Sequence, residues 1–134
     1  GVKEASGDLS LVANVKSSCG EDLFLWSGND DNTIPLMAFG ALGVISVAGN
    51  ILPSVMAKLC GLCRDGDYPA ASQLYARYAK LFGALFSETN PIPIKAAMKL
   101  LDRDSGILRL PLTNMGEENL AALRAVMRDA GLLV

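Results

Sequence analysis

The sequence contains no histidine. That excludes histidine-based catalytic triads, imidazole metal ligands and the side chain that most readily moves a proton at neutral pH. An excess of one charge is lacking too: 12 basic and 14 acidic residues leave a formal net charge of −2. With no strongly basic stretch, the chain lacks the electrostatic footprint of a dedicated nucleic-acid binder. No apolar run reaches the roughly 18 residues of a membrane span, so no membrane partner is expected. No charged segment leads into an apolar run at the start, and no secretory signal is expected. Cysteine is scarce. Cys19, Cys60 and Cys63 are too few and odd in number for a disulfide framework, so a reducing, cytoplasmic compartment is expected.

What is present describes a globular chain. Its 134 residues are 51% hydrophobic and 19% charged, a balance opposite to that of disordered segments. The length suits one ordinary domain, able to bury about two thirds of its unfolded surface. Cys60-Gly61-Leu62-Cys63 has the C-x-x-C spacing of redox and zinc motifs. The same residues also continue a helical apolar stripe, Leu52, Val55, Met56, Leu59, Cys60 and Cys63. On that stripe a free cysteine acts as a small hydrophobe, and a zinc site would need two further ligands.

The first half alternates short apolar runs with helical patterns. Gly1-Val2-Lys3 reads as the end of a strand whose beginning is missing, as in a piece cut from something longer. Asp8 is placed to cap a helix running to about Ser18, stopped at Gly20. Leu23 to Trp26 reads as a buried parallel strand, and Ser27 to Asp31 as a polar turn. Asn32 is expected to cap a second helix with Pro35 in its first turn. Gly43 to Val47 reads as a third strand, and Asn50 with Pro53 as the opening of the helix that carries Cys60. This order predicts a parallel sheet with crossover helices. After a break at Asp65-Gly66-Asp67 the pattern becomes all-helical. One helix is marked by Ala71, Leu74, Tyr75, Tyr78, Leu81, Phe82 and Leu85. Another follows Asn90-Pro91, with Ile94, Ala97, Met98 and Leu101 as its stripe. Residues 107–112 read as an extended linker, and Leu120 to Ala130 as a last helix closed by Gly131.

Three apolar parallel strands need cover on both faces, yet the set has two open edges. They make better sense inside a larger closed sheet, and an eight-stranded βα barrel needs about 250 residues. The expected fold class is therefore α/β: the C-terminal portion of a (β/α)8 TIM barrel, about three βα units over residues 1–64, followed by an all-α extension over 65–134. In such barrels the reacting groups stand at the C-terminal strand ends. Lys3, the Ser27-Gly28-Asn29-Asp30 turn and Ser46 qualify. A lysine facing a barrel interior is desolvated, which frees its amine for Schiff-base chemistry; the alternative is a solvated surface charge. Ser6-Gly7-Asp8 reads as an anion site or as a plain helix cap. Asp30 and Asp31 read as an acid pair or metal site, or as a loop and cap. Tyr68, Tyr75 and Tyr78 are proton donors by type and packing residues by spacing. Lys95 is a second amine, but in a helix rather than at a strand end.

Five segments, in order, resemble the dihydrodipicolinate synthase family. Gly1 to Asp8 resembles its Schiff-base lysine segment, and Ser27-Gly28-Asn29-Asp30 its next active-site turn. Gly43 to Val47 resembles its last barrel strand. Asn90-Pro91-Ile92-Pro93-Ile94-Lys95 and Leu108-Arg109-Leu110-Pro111-Leu112 resemble signatures of its helical domain. The resemblance implies an enzyme of lysine (diaminopimelate) biosynthesis that condenses pyruvate with L-aspartate 4-semialdehyde. It gives Lys3 the role of Schiff-base nucleophile and places Gly28 and Ile45 at the pyruvate pocket. No metal or organic cofactor is implied. The family's hydroxyl pair, relay tyrosines and substrate arginine have no match in this chain, and Asn29 replaces the usual aspartate. The implied partners are therefore a homo-oligomeric copy or a missing N-terminal part. Three alternatives stay open: a related pyruvate aldolase of the sialic-acid lyase type, an inactive self-associating remnant, and a helical interaction module over residues 67–134.

Overall fold

A computed structural model describes residues 1–134. They form two compact units, Gly1–Ala76 and Arg77–Val134. In the first unit, β1 (Val2–Glu4) pairs in parallel with β2 (Leu25–Ser27), with Val2 opposite Leu25, Lys3 opposite Trp26 and Glu4 opposite Ser27. The crossover between them is α1 (Leu9–Cys19). Asp8 caps α1 as expected: its Oδ1 accepts from Ser10 N at 2.8 Å and Leu11 N at 3.1 Å. Gly20, at φ 58°, ends it, in a left-handed conformation that glycine adopts without a Cβ clash. The second strand starts later than the apolar run suggested. A 3-10 turn at Gly20–Asp22 precedes it, Phe24 is 60% exposed, and Ser27 belongs to the strand rather than to the turn.

Next come α2 (Thr33–Ala38) and α3 (Pro53–Arg64). The helices stand where the sequence placed them, but neither asparagine caps by its side chain. Asn32 occupies the capping position of α2 without a side-chain bond, while Thr33 Oγ1 donates to Asp30 O at 2.9 Å. Asn50 lies in a 3-10 turn, Ala48–Asn50, and its Nδ2 donates to Val47 O at 2.9 Å. Pro53 opens α3 at a position where its missing N–H has no helical partner to lose. Met56, Leu59 and Cys63 are buried along one stripe of α3, and α2 packs on both α3 and β2. The expected third strand contracts to one residue. Val44 bridges Ser27 in parallel, through Ser27 N to Gly43 O at 2.9 Å and Ile45 N to Ser27 O at 2.8 Å. Beyond it the Asp30 carboxylate takes the N–H groups of Val47 and Ala48. Donors drawn to a carboxylate cannot serve a strand ladder, so the chain turns.

α4 (Tyr68–Ala84) begins in the first unit, where Asp67 Oδ1 accepts from Ala70 N at 3.0 Å. In the second unit its residues Leu81 and Phe82, and Leu85 just after it, are buried. α5 (Ile92–Leu100) buries Ile92, Pro93, Ile94 and Ala97 and packs on α6 (Glu117–Asp129), which buries Leu123 and Met127. Lys95 Nζ and Asp104 Oδ1, 3.0 Å apart, tie α5 to the following loop. Glu88 Oε1 accepts from Gly116 N at 3.0 Å and Asn119 Nδ2 at 2.8 Å, fixing the start of α6. Gly131, at φ 73°, closes α6 as expected. Residues 107–112 have no regular structure, and Ile107 and Leu110 are exposed.

Removing the α1 cap with Asp8→Ala should lower stability by about 1 kcal/mol, read from a urea transition; an unchanged midpoint would contradict the cap. The hydrogen bond from Gly106 N, and then the Lys95 ammonium, hold the Asp104 carboxyl below the usual carboxylate range. A folded pKa below the unfolded one gives stability that is present above the unfolded value and lost as pH falls through the folded one. An NMR carboxyl titration should therefore find Asp104 titrating below an ordinary aspartate, and an ordinary midpoint would contradict the contacts with Gly106 N and Lys95.

Candidate active site

Side chains alternate across a strand, and residues paired in a parallel register share a face. Leu25 and Ser27 are fully buried on one face of β2, while Trp26 between them is half-buried on the other. Lys3 pairs with Trp26 and takes Trp26's face. Gly28 is the next residue on that face. Ile45 follows Val44, the partner of Ser27, and so falls on the same side, 49% exposed. Lys3, Gly28 and Ile45 thus meet at one strand end.

The contact between Lys3 and Gly28 is close. A Cβ on Gly28 would lie 2.5 Å from Ala5 Cβ, 2.9 Å from Glu4 O and 3.0 Å from Lys3 Cε. Only glycine lets the lysine stem cross here. Gly28 N also donates to Glu4 O at 2.6 Å, which holds the two strand ends together. Asn29 adds a tie: its Nδ2 donates to Ala5 O at 3.2 Å. An ionised aspartate has no proton to donate in that bond, so the departure at Asn29 has a local structural role.

The face is open, and Lys3 is exposed. Within the first unit β1, β2 and Val44 supply one wall, not the closed barrel interior in which a lysine is expected to be desolvated. Of the ion pairs, Lys16–Glu21, Arg64–Asp65 and Lys95–Asp104, none involves Lys3. Lys95 lies in helix α5 of the second unit, where Asp104 holds it. The two amines therefore differ in the way the sequence suggested.

The other candidates resolve as structural groups. Ser6 Oγ accepts from Asp8 N at 3.0 Å and Asp8 caps α1, so this turn is a cap rather than an anion site. Asp30 is fully buried and Asp31 exposed; they do not form an acid pair. Burial pushes the Cys60 thiol up, opposed by a hydrogen bond with the Val44 backbone, and burial then the Cys60 charge push Cys63 up. Protonated thiols, half-buried at Cys60 and buried at Cys63, are packing groups rather than nucleophiles. Burial, then the Asp31 charge, pushes the Tyr75 phenol up. Tyr78 packs on Phe82, ring centroids 6.4 Å apart, with the Arg77 guanidinium 6.0 Å from its ring. A cleft of about 580 Å³ in the second unit, lined by Lys99, Asn114, Glu117 and Arg124 among others, includes none of the site candidates.

One feature escaped the sequence reading. Asp30 accepts from Ser46 Oγ in a short hydrogen bond, from Val47 N at 3.1 Å and from Ala48 N at 2.9 Å. Its signal in the sequence is faint: an acid between an apolar strand and a helix, with no basic residue nearby.

Residues 1–130 match the Dihydrodipicolinate synthetase family, and the chain belongs to that family. It is 45% identical over 133 residues to 4-hydroxy-tetrahydrodipicolinate synthase of Thermoanaerobacter sp. (strain X514), covering 99% of this chain and 45% of the relative. To the same-named enzyme of Persephonella marina it is 45% identical over 134 residues, covering 99% and 46%. The crystal structure of dihydrodipicolinate synthase from Thermotoga maritima superposes with a TM-score of 0.92 at 39% identity, and that from Aquifex aeolicus with 0.94 at 38%. Each match covers 98% of this chain and 45% of the other. The chain thus spans about half the length of its relatives, and its fold is a portion of their TIM barrel with a helical extension.

Gly28→Ala should lower stability by about 1–3 kcal/mol, because the methyl overlaps backbone and Cβ atoms that cannot all withdraw. A denaturation midpoint equal to that of the unaltered protein would contradict the close crossing of Lys3 over Gly28.

Proposed function

We propose that this chain carries the Schiff-base lysine of a 4-hydroxy-tetrahydrodipicolinate synthase, acting in lysine biosynthesis. The substrates are pyruvate and L-aspartate 4-semialdehyde. The observation that carries the reading is the meeting of Lys3, Gly28 and Ile45 at one strand end, with the lysine stem against the glycine.

In this reading the Lys3 amine attacks the pyruvate ketone and water leaves, giving an imine. The imine withdraws electrons from the neighbouring methyl group, which loses a proton to become an enamine. The enamine carbon attacks the aldehyde of the second substrate. Ring closure by that substrate's amine then displaces Lys3. Gly28 and Ile45 form part of the pyruvate wall. The proton donors and acceptors come from outside this chain, which has neither histidine nor the family's relay tyrosines. Residues 1–64 are barrel units and 65–134 a helical domain, in a cytoplasmic enzyme that self-associates or joins an N-terminal βα portion.

The exposure of Lys3 favours one further statement: the 134 residues alone are inactive, because the open face supplies only one wall and cannot close around a substrate or exclude water. In the complete protein, Lys3→Arg and Lys3→Ala should lower kcat by about a thousandfold or more, as loss of a covalent nucleophile does. Condensing activity retained by either variant would overturn the assignment.

A further inference from the structure

We propose that Asp30 is a positioning residue for the pyruvate site, acting through a clamp on residues 46–48. The inference rests on the reading of Lys3, Gly28 and Ile45 given above and adds a group that does not itself touch substrate. Asp30 is fully buried and pairs with no cation. A carboxylate in that setting must be satisfied by neutral donors. Three are provided, all 16 to 18 residues further along the chain: Ser46 Oγ, Val47 N and Ala48 N. Ser46 Oγ in turn accepts from Gly49 N at 2.7 Å, so hydroxyl and carboxylate hold the whole turn after Val44.

The clamp joins the two wall residues. Asp30 stands two residues after Gly28, and its partners begin one residue after Ile45. Ile45 N is already tied to Ser27 O at 2.8 Å. The backbone from 45 to 48 is therefore held at both ends to the strand end and turn that present Gly28. If the clamp opens, Ile45 can drift from Gly28 while Lys3, on β1, stays in place. Such a change weakens the fit of a small substrate against its wall more than it alters the nucleophile.

Asp30→Asn keeps the volume but leaves one acceptor oxygen where two serve Ser46 Oγ on one side and the Val47 and Ala48 N–H groups on the other. In the complete protein, its KM for pyruvate should rise about tenfold or more, given how steeply rates depend on placement, with a smaller fall in kcat and no change in KM for aspartate semialdehyde. Ser46→Ala removes one arm and should raise the pyruvate KM by a smaller factor; Ser46→Thr, which keeps the hydroxyl, should recover most of that loss. A merely structural role would reduce the amount of active protein and leave KM alone. A folded Asp30→Asn with the pyruvate KM of the unaltered protein overturns the inference. If Asp30→Asn does not fold, Ser46→Ala with an unchanged pyruvate KM overturns it. An unaltered protein with no condensing activity overturns the functional reading, and this inference with it.

Discussion

The first unit depends on a carboxylate with nowhere to go. Asp30 is buried, and removing a charge from water without partners is far costlier than any single contact it could make. The chain answers by bringing residues 46–48 to it. That demand ends the third strand segment after one bridge, forms the 3-10 turn at Ala48–Asn50 and sets where α3 starts. Ile45, just before these partners, is tied to the end of β2 by its own N–H to Ser27 O.

The other constraint is glycine's missing side chain. Lys3 and Gly28 lie on adjacent parallel strand ends, where a Cβ would meet three atoms at once. The parallel register puts lysine and glycine on one face, and the Glu4–Gly28 and Ala5–Asn29 bonds fasten the two loops above them. Two effects therefore build the site from local geometry: a small residue that lets the lysine cross, and buried donors that hold the opposite wall. The reactivity of the lysine is a separate matter. In the proposed role it would call for a closed pocket, and the face that carries Lys3 is open within this unit.

Much of this was legible in the sequence, where its causes are local. Asp8 caps through donors two and three residues away, and Gly20 and Gly131 stop helices by their own backbone angles. The α3 stripe was readable from spacing, and it also decided that Cys60 and Cys63 are packing groups. The asparagine caps and the length of the third strand were not legible. Asn32 and Asn50 look like caps locally, but Thr33 Oγ1 takes the Asp30 carbonyl beside the first, and the backbone before the second answers to the Asp30 side chain across a long stretch of chain. Lys3, Gly28 and Ile45 could be named from their likeness to family segments; their common face emerged only with the strand register. The exposure of Lys3 depends on what covers the face, which no property of the lysine segment encodes.

The central claim is that Lys3 is the amine that reacts with pyruvate. Borohydride reduces an imine to a stable amine, so incubating the complete protein with pyruvate and borohydride and mapping the added mass by peptide reads the claim directly. The account predicts one adduct, confined to the peptide carrying Lys3. An adduct on the Lys95 peptide instead, or none in a protein that still condenses its substrates, would contradict it.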